Sequence, residues 1–273
     1  MPELPEVQTV VDALRLQIVD KTIIDIDIRW LKTIGNMDPE LFKSTVINQK
    51  IVSLDRRGKY ILIRLNNGTI IIHLRMEGRF FLNSNNSDIN KHTHVLLKLN
   101  NGVRLDYNDT RKFGRFYYYS LSEPYYVLRN LGKEPFDPDC TALYLHQATR
   151  RKKQVLKSFL LDQTAIAGIG NIYADEICYA VQCSPNQLVN RISLKKWEEI
   201  RSETIRILSE AIASGGSTIR TYTSSLGVSG RFQIELHAYG KGGCPCDRCG
   251  SEMKKIRVGQ RGTVYCPQCQ KVR

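Results

Sequence analysis

The chain has 273 residues, 42% of them hydrophobic, and 40 Lys and Arg against 27 Asp and Glu give a net charge of +13. That length allows two or three domains and one or two real cores. No run of about 18 apolar residues exists and the acidic N-terminus has no continuous apolar segment, so neither a transmembrane helix nor a secretory signal is expected. The positive charge suggests a polyanionic partner, most simply nucleic acid, but charge alone does not separate this from a merely soluble basic protein.

The chain opens MPELPEVQTV. Val7, Val10, Val11, Leu14 and Ile18 recur at helical spacing, which predicts an amphipathic helix over 5–19 with Pro5 in its first turn. From Thr22 to Ser120 the texture changes to short β-rich runs such as KYILIRL, TIIIHLR and RFYYYS. Two joints read LNNGT (65–69) and LNNGV (99–103), and Asn-Gly between apolar runs is a strong hairpin signal. Many short strands with tight turns predict a β-sandwich.

LGKEPFDPD (131–139) reads as a linker, and helical segments follow it. In AIAGIGNIYADE (165–176), Gly168 and Gly170 break one helix and Asn171 is placed to cap the next. Free N–H groups at such a start suit a phosphate. RRKK (150–153) lies just upstream, where it could flank the same backbone. The stretch Ser217–Gly230, rich in Ser, Thr and Gly, reads as a mobile loop.

Five of the eight cysteines fall in the last 30 residues. Cys246 and Cys249, then Cys266 and Cys269, form two C-x-x-C pairs at zinc-ribbon spacing, which predicts a closed four-thiolate site holding one structural zinc ion. So small a tail buries little core, and metal binding would supply most of its folding energy. Cys244 stands outside the pattern. Between the pairs, Lys254, Lys255, Arg257 and Arg261 are expected on a small basic β-hairpin.

Three further stretches combine basic and bulky residues. LDRRGKY (54–60) places Lys59 beside a strand start, HLRMEG (73–78) carries Met76, and DTRKFG (109–114) carries Phe113. Apolar residues in basic loops suit wedges that enter a base stack. Composition alone favours the other reading, in which Met76 and Phe113 belong to the core.

Pro2 poses a chemical question. An α-amino group ionises near pH 8, well below lysine. A secondary amine at a proline terminus would form an iminium that is always cationic and therefore an electron sink. This requires removal of Met1, because an amide nitrogen is not a nucleophile. Glu3 and Glu6 lie close by, and one of them could act as a general acid.

In combination and in this order, PELPEV (2–7), RRGKY (56–60), HLRMEG (73–78), KHTH (91–94), DTRKFG (109–114), AGIGNIYADE (167–176), YGKGG (239–243) and the CxxC…QRGTVYCPQC tail resemble the bacterial formamidopyrimidine-DNA glycosylase family. The resemblance spans the whole chain. It implies an α+β multidomain protein: an N-terminal β-sandwich with an N-terminal helix (1–131), a helical helix–two-turn–helix domain (132–240) and a C-terminal zinc finger (241–273), with DNA in a cleft. The activity implied is excision of oxidised purines from double-stranded DNA, followed by strand nicking, by a cytoplasmic, nucleoid-associated monomer. By motif, Pro2 would be the Schiff-base nucleophile, Glu3 the proton donor in sugar-ring opening, Lys59 a residue serving around the damaged nucleotide and in β-elimination, and Arg261 the zinc-finger arginine of δ-elimination and phosphate binding. Met76, Arg111 and Phe113 would fill the space left by an extruded base. His73, His92, Lys152, Asn171, Tyr239 and Lys255 would bind the DNA backbone. Gln8 departs from the glutamate often found there. The rival readings are a sister endonuclease VIII-type enzyme for oxidised pyrimidines and a non-catalytic damaged-DNA-binding protein. Leu4 and the HLRMEG stretch favour the purine branch over the first. Retention of Pro2, Glu3 and Lys59 argues against the second.

Overall fold

The computed structural model describes residues 1–215 and 236–272. The stretch 217–230, expected to form a loop, lies outside the described residues. The chain divides into two compact units, one built on Met1–Arg129 and the other on Asn130–Ala213 with residues 236–272.

The first unit begins with α1 (Leu4–Ile18), whose buried stripe is the predicted one: Val7, Val10, Val11, Leu14 and Ile18. Pro5 sits in the first turn, where its missing N–H removes no helical bond. Two four-stranded antiparallel sheets follow. One has the order β1 (Ile23–Ile28), β6 (Thr93–Leu99), β7 (Val103–Asn108), β5 (Arg79–Ser84). The other has the order β2 (Ile51–Arg57), β3 (Tyr60–Leu65), β4 (Gly68–His73), β8 (Arg115–Ser120). A short helix α2 (Pro39–Val46), capped by Asp38, packs Phe42 and Val46 inward. One core joins the sheets and α1: Ile26, Val95 and Leu105 come from the first sheet, Ile61, Ile63, Ile70, Ile72 and Phe116 from the second. The expected sandwich is therefore formed.

Strand β4 is buried at every position, against the half-solvated alternation of an outer strand. The cause is a second apolar layer. Leu62, Ile71 and Tyr119 point away from the main core and are covered by Tyr125, Val127 and Leu128.

Both Asn-Gly joints make hairpins, but their glycines do different work. Gly102 has φ +80 with nothing near its missing Cβ, so only its backbone conformation is needed. Gly68 already lies in β4, paired with Leu65, and a Cβ there would meet the Tyr118 ring at 2.6 Å. The turn residues are Asn66 and Asn67, and Gly68 serves close packing.

The second unit carries α3 (Ala142–Thr149), α4 (Leu156–Leu161), α5 (Asn171–Ala180) and α6 (Leu194–Ala213) around Phe159, Tyr173, Ile177, Trp197 and Leu208. The segment 131–139 is not a free linker: Gly132 N–H donates to the Gln163 carbonyl at 2.8 Å, and Lys133 bridges Ile166. The hairpin of β9 (Lys254–Val258) and β10 (Arg261–Tyr265) forms as predicted. Its Gly259-Gln260 turn has φ positive at both residues, the geometry that matches strand twist.

Candidate active site

In the first unit the candidate catalytic residues gather at the start of α1. Pro2 is buried, Glu3 is 2% exposed and Lys59 5% exposed. Burying charged groups is unfavourable unless they are compensated, and concentrations of such groups mark functional sites. The Glu3 N–H donates to Glu6 Oε2 at 2.8 Å, fixing the first turn. Gln8 then ties the helix to the β2–β3 turn. Arg56 Nε donates to Gln8 Oε1 at 2.9 Å, and Arg56 Nη1 donates to the Gly58 carbonyl at 3.0 Å. This chain of bonds sets the turn that carries Lys59 beside the first turns of α1. Gln8 Nε2 also donates to Asp12 at 2.9 Å, a bond a glutamate could not make.

His73 ends β4 with its ring edge-on to Tyr60, 4.6 Å between centroids. Burial first, then the charges of Arg75 and Lys59, hold its pKa down to about 3. Its Nδ1 accepts from the Arg75 N–H at 2.9 Å, so the neutral ring carries its proton on Nε2. His73 is thus a neutral donor rather than a cation.

Met76 and Phe113 are 39% and 46% exposed, which corrects the core assignment that composition favoured. Their loops are built to hold them out. The buried Asp109 carboxylate accepts from the N–H groups of Arg111 (3.0 Å), Phe113 (2.8 Å) and Gly114 (2.8 Å). Lys112 adopts φ +58 within this turn. Thr110 bonds to Glu77, joining this loop to the one that carries Met76. The Arg111 guanidinium lies over the Phe113 ring at 4.8 Å. The half-buried His92 supports the loop through its carbonyl, which accepts from the Asp109 N–H at 3.0 Å.

In the second unit, Asn171, Tyr239 and Lys255 line one cavity of about 320 Å³ with Gly240 and Gly262. Asn171 does not cap α5. Gly170 holds that position, and Asn171 is the first helical residue. Its Nδ2 donates to the Gly262 carbonyl at 3.1 Å, while Oδ1 is buried without a partner among the described residues. Lys152 is half-buried, its ammonium 5.5 Å from the Phe159 ring centroid. Arg261 is exposed at the start of β10, beside the cavity-lining Gly262.

Two supports of this cavity escaped the sequence reading. Glu176 accepts from the N–H groups of His237 (3.0 Å), Ala238 (2.9 Å) and Tyr239 (2.8 Å), which positions Tyr239. Lys157 and Asp175 form a fully buried ion pair at 2.6 Å. Burial pushes the Asp175 carboxyl up to about 6, against the opposing charge of Lys157. Their only signal in the sequence is acidic and basic residues inside otherwise apolar helical stretches.

The Sγ atoms of Cys246, Cys249, Cys266 and Cys269 lie within 4.8 Å of one another. A tetrahedral zinc–thiolate centre places its sulfurs about 3.8 Å apart, so the four residues fit one zinc ion. Cys244 is exposed and outside the quartet. With four protein ligands the metal would hold the ribbon together, with no open position for chemistry.

Buried charge at the start of a helix on a β-sandwich, and a helical unit ending in a four-thiolate ribbon, are the make-up of a zinc-finger nucleic-acid enzyme. Three family models match: the formamidopyrimidine-DNA glycosylase N-terminal domain over residues 1–116, its H2TH domain over 131–223, and the zinc finger found in FPG and IleRS over 243–272. The formamidopyrimidine-DNA glycosylases of Ligilactobacillus salivarius and Streptococcus mutans are 42% and 43% identical, covering 100% and 99% of this chain and 100% of each relative. Among solved structures, the Lactococcus lactis Fpg (MutM) with DNA containing N7-benzyl-Fapy-dG matches with TM-score 0.92 at 36% identity, covering 99% of this chain and 100% of that one. The same organism's Fpg with DNA containing an abasic site matches with TM-score 0.93 at 37% identity, covering 98% and 99%. The chain belongs to the formamidopyrimidine-DNA glycosylase family. Among the described residues no helix is long and apolar enough to cross a membrane.

Proposed function

We propose that this protein is a bifunctional DNA glycosylase and abasic-site lyase of base-excision repair, acting as a monomer on double-stranded DNA. Its substrates are oxidised purines, 8-oxoguanine and formamidopyrimidines. The observation that carries this reading is full-length membership of the family together with Pro2, Glu3 and Lys59, with Glu3 buried at the start of α1 and Lys59 buried in the β2–β3 turn. The proposed domain limits are 1–131, 132–240 and 241–273, supported by the unit boundary after Arg129 and by the family-model limits. The same reading places the enzyme in the cytoplasm with the bacterial nucleoid.

With Met1 removed, the Pro2 nitrogen attacks C1′ of the extruded nucleotide. The C1′–base bond breaks and the base leaves with a proton. Glu3 protonates the ring oxygen as the sugar opens, leaving an iminium on Pro2. That cation accepts the electron pair released when the C2′ proton departs, and the 3′ phosphate is expelled. A second elimination expels the 5′ phosphate, and water releases Pro2. Lys59 serves the first elimination beside the damaged nucleotide, and Arg261 the second. Extrusion of the nucleotide costs a few kcal/mol, which Met76, Arg111 and Phe113 offset by filling the vacated stack. His73, His92, Lys152, Asn171, Tyr239 and Lys255 grip the backbone, a sequence-independent source of affinity.

Borohydride reduction of the iminium tests this directly. With duplex DNA carrying 8-oxoguanine opposite cytosine, a covalent protein–DNA adduct is expected. Pro2→Gly should reduce it, and extra residues before Pro2 should abolish it. Absence of an adduct from protein whose intact mass shows Met1 removed would overturn the mechanism. Trapping only on oxidised pyrimidines would instead place the protein with the endonuclease VIII type.

A further inference from the structure

The second unit holds another basic cavity, at the opposite end of α5 from Asn171. It follows the C-cap Val181 and is lined by Gln182, Arg191, Lys195, Lys196 and Lys271, with a volume of about 370 Å³. Ten residues of α5 separate it from Asn171, about 15 Å along the helix axis at 1.5 Å per residue. None of the residues assigned above to DNA lines it.

Its charge is uncompensated. Lys196 is bound to Glu199 and to the Val181 carbonyl. Arg191, Lys195 and Lys271 are exposed and form no ion pair among the described residues, although they converge on one concavity from three segments of chain. Such mutual repulsion is unfavourable and is relieved by a bound polyanion. The α6 N-terminus opens on the same side, its Lys196 N–H donating to Ser193 Oγ at 3.2 Å, and it adds positive potential. Ile192 and Cys183 are the apolar side chains in its lining, and neither is an aromatic or other large anchor of the kind that a docked acidic peptide would use. Backbone phosphate of nucleic acid needs no such anchor.

We propose that Arg191, Lys195 and Lys271 form a second, lesion-independent site for the phosphate backbone of duplex DNA. Through it the enzyme holds an undamaged duplex while its lesion site is engaged, and passes from one DNA segment to another. This goes beyond the glycosylase reading and does not depend on its chemistry.

The test uses the full-length zinc-loaded protein, the variant R191Q/K195Q/K271Q, and a charge-matched control, K21Q/K43Q/R129Q. On enzyme whose lesion site is saturated with unlabelled duplex bearing a tetrahydrofuran abasic analogue, the salt dependence of binding to a labelled short undamaged duplex is measured. The site variant should lower the log–log slope by about 2–3, as expected for three lost phosphate contacts, and bind roughly tenfold more weakly, while the control keeps the wild-type value. At a duplex concentration near the wild-type Kd, saturated wild type should still capture the labelled duplex, and the site variant should capture only a small fraction of that amount. Borohydride adduct yield should be the same in all three proteins. Equal slopes for wild type and site variant, or no second capture by saturated wild type, would overturn the proposal. So would capture displaced by an acidic peptide but not by DNA. Prior titration with labelled abasic duplex shows the lesion site filled, so a failure of lesion binding is seen separately from a failure of the second site.

Discussion

Lys157 and Asp175 pair at 2.6 Å with both side chains out of water, and each also holds the zinc-ribbon hairpin. Lys157 Nζ donates to the Gly262 carbonyl at 2.9 Å, and Asp175 Oδ2 accepts from the Val264 N–H at 3.1 Å. The same Gly262 carbonyl receives Asn171 Nδ2. One buried pair thus fixes β10 against α4 and α5 at the edge of the cavity assigned to phosphate. Removing one partner strands the other charge, so Lys157→Met should destabilise the protein by about 3–5 kcal/mol. The double variant K157M/D175L should recover most of that loss in denaturant unfolding, yet still bind DNA more weakly because the hairpin loses its anchors. Equal stability of the single and double variants would refute the coupling.

His73 should make stability fall as the solution is acidified. Its imidazole stays neutral in the folded protein down to about pH 3. The unfolded chain protonates near 6.5 and so binds the extra proton. Stability from this group is therefore fully present above pH 6.5. Below that pH it is lost, at up to about 1.4 kcal/mol per pH unit. His73→Gln should flatten the pH dependence of unfolding in that window. An unchanged slope would contradict a buried neutral histidine.

Met76 and Phe113 separate wedge from core by experiment. Their exposure predicts that Met76→Ala and Phe113→Ala shift unfolding by no more than about 0.5–1 kcal/mol. Lesion excision should nevertheless fall sharply, because the vacated stack is left unfilled. A large loss of stability with normal excision would return them to the core.

Asp109 shapes the loop without touching the proposed substrate. Asp109→Ala leaves three N–H groups unsatisfied and should cost roughly 2–4 kcal/mol. Excision should decline along with Phe113→Ala rather than independently, a non-additivity that a double-mutant cycle measures.

Stripping zinc should unfold the β9–β10 ribbon and weaken DNA binding, since so small a module has little core beyond Met253 and Val264. Spectroscopic release of one metal per chain on thiol modification checks the stoichiometry. Unchanged DNA affinity of the metal-free protein would remove the ribbon from the binding surface.

Periodicity and spacing decide a great deal by themselves. The stripe Val7–Ile18 dictated α1, the paired C-x-x-C motifs dictated the thiolate quartet, and two Asn-Gly joints dictated hairpins, because each is a local rule satisfied within a few residues. The order of the motifs identified the family and, with it, the candidate residues. What the sequence could not decide depends on partners distant in the chain. Gly68 is required by Tyr118, fifty residues on, and β4 is buried on both faces because the 125–128 segment covers it. Asn171 gave up its expected cap to reach Gly262, ninety-one residues away. Met76 and Phe113 read as core by composition, but the Asp109 carboxylate shapes its own loop and the Thr110–Glu77 link, thirty-three residues apart in the chain, ties that loop to the one carrying Met76, with both side chains exposed. Local preference is written in neighbours along the chain. Burial and polar satisfaction are settled only when distant segments meet and every desolvated group must find its partner.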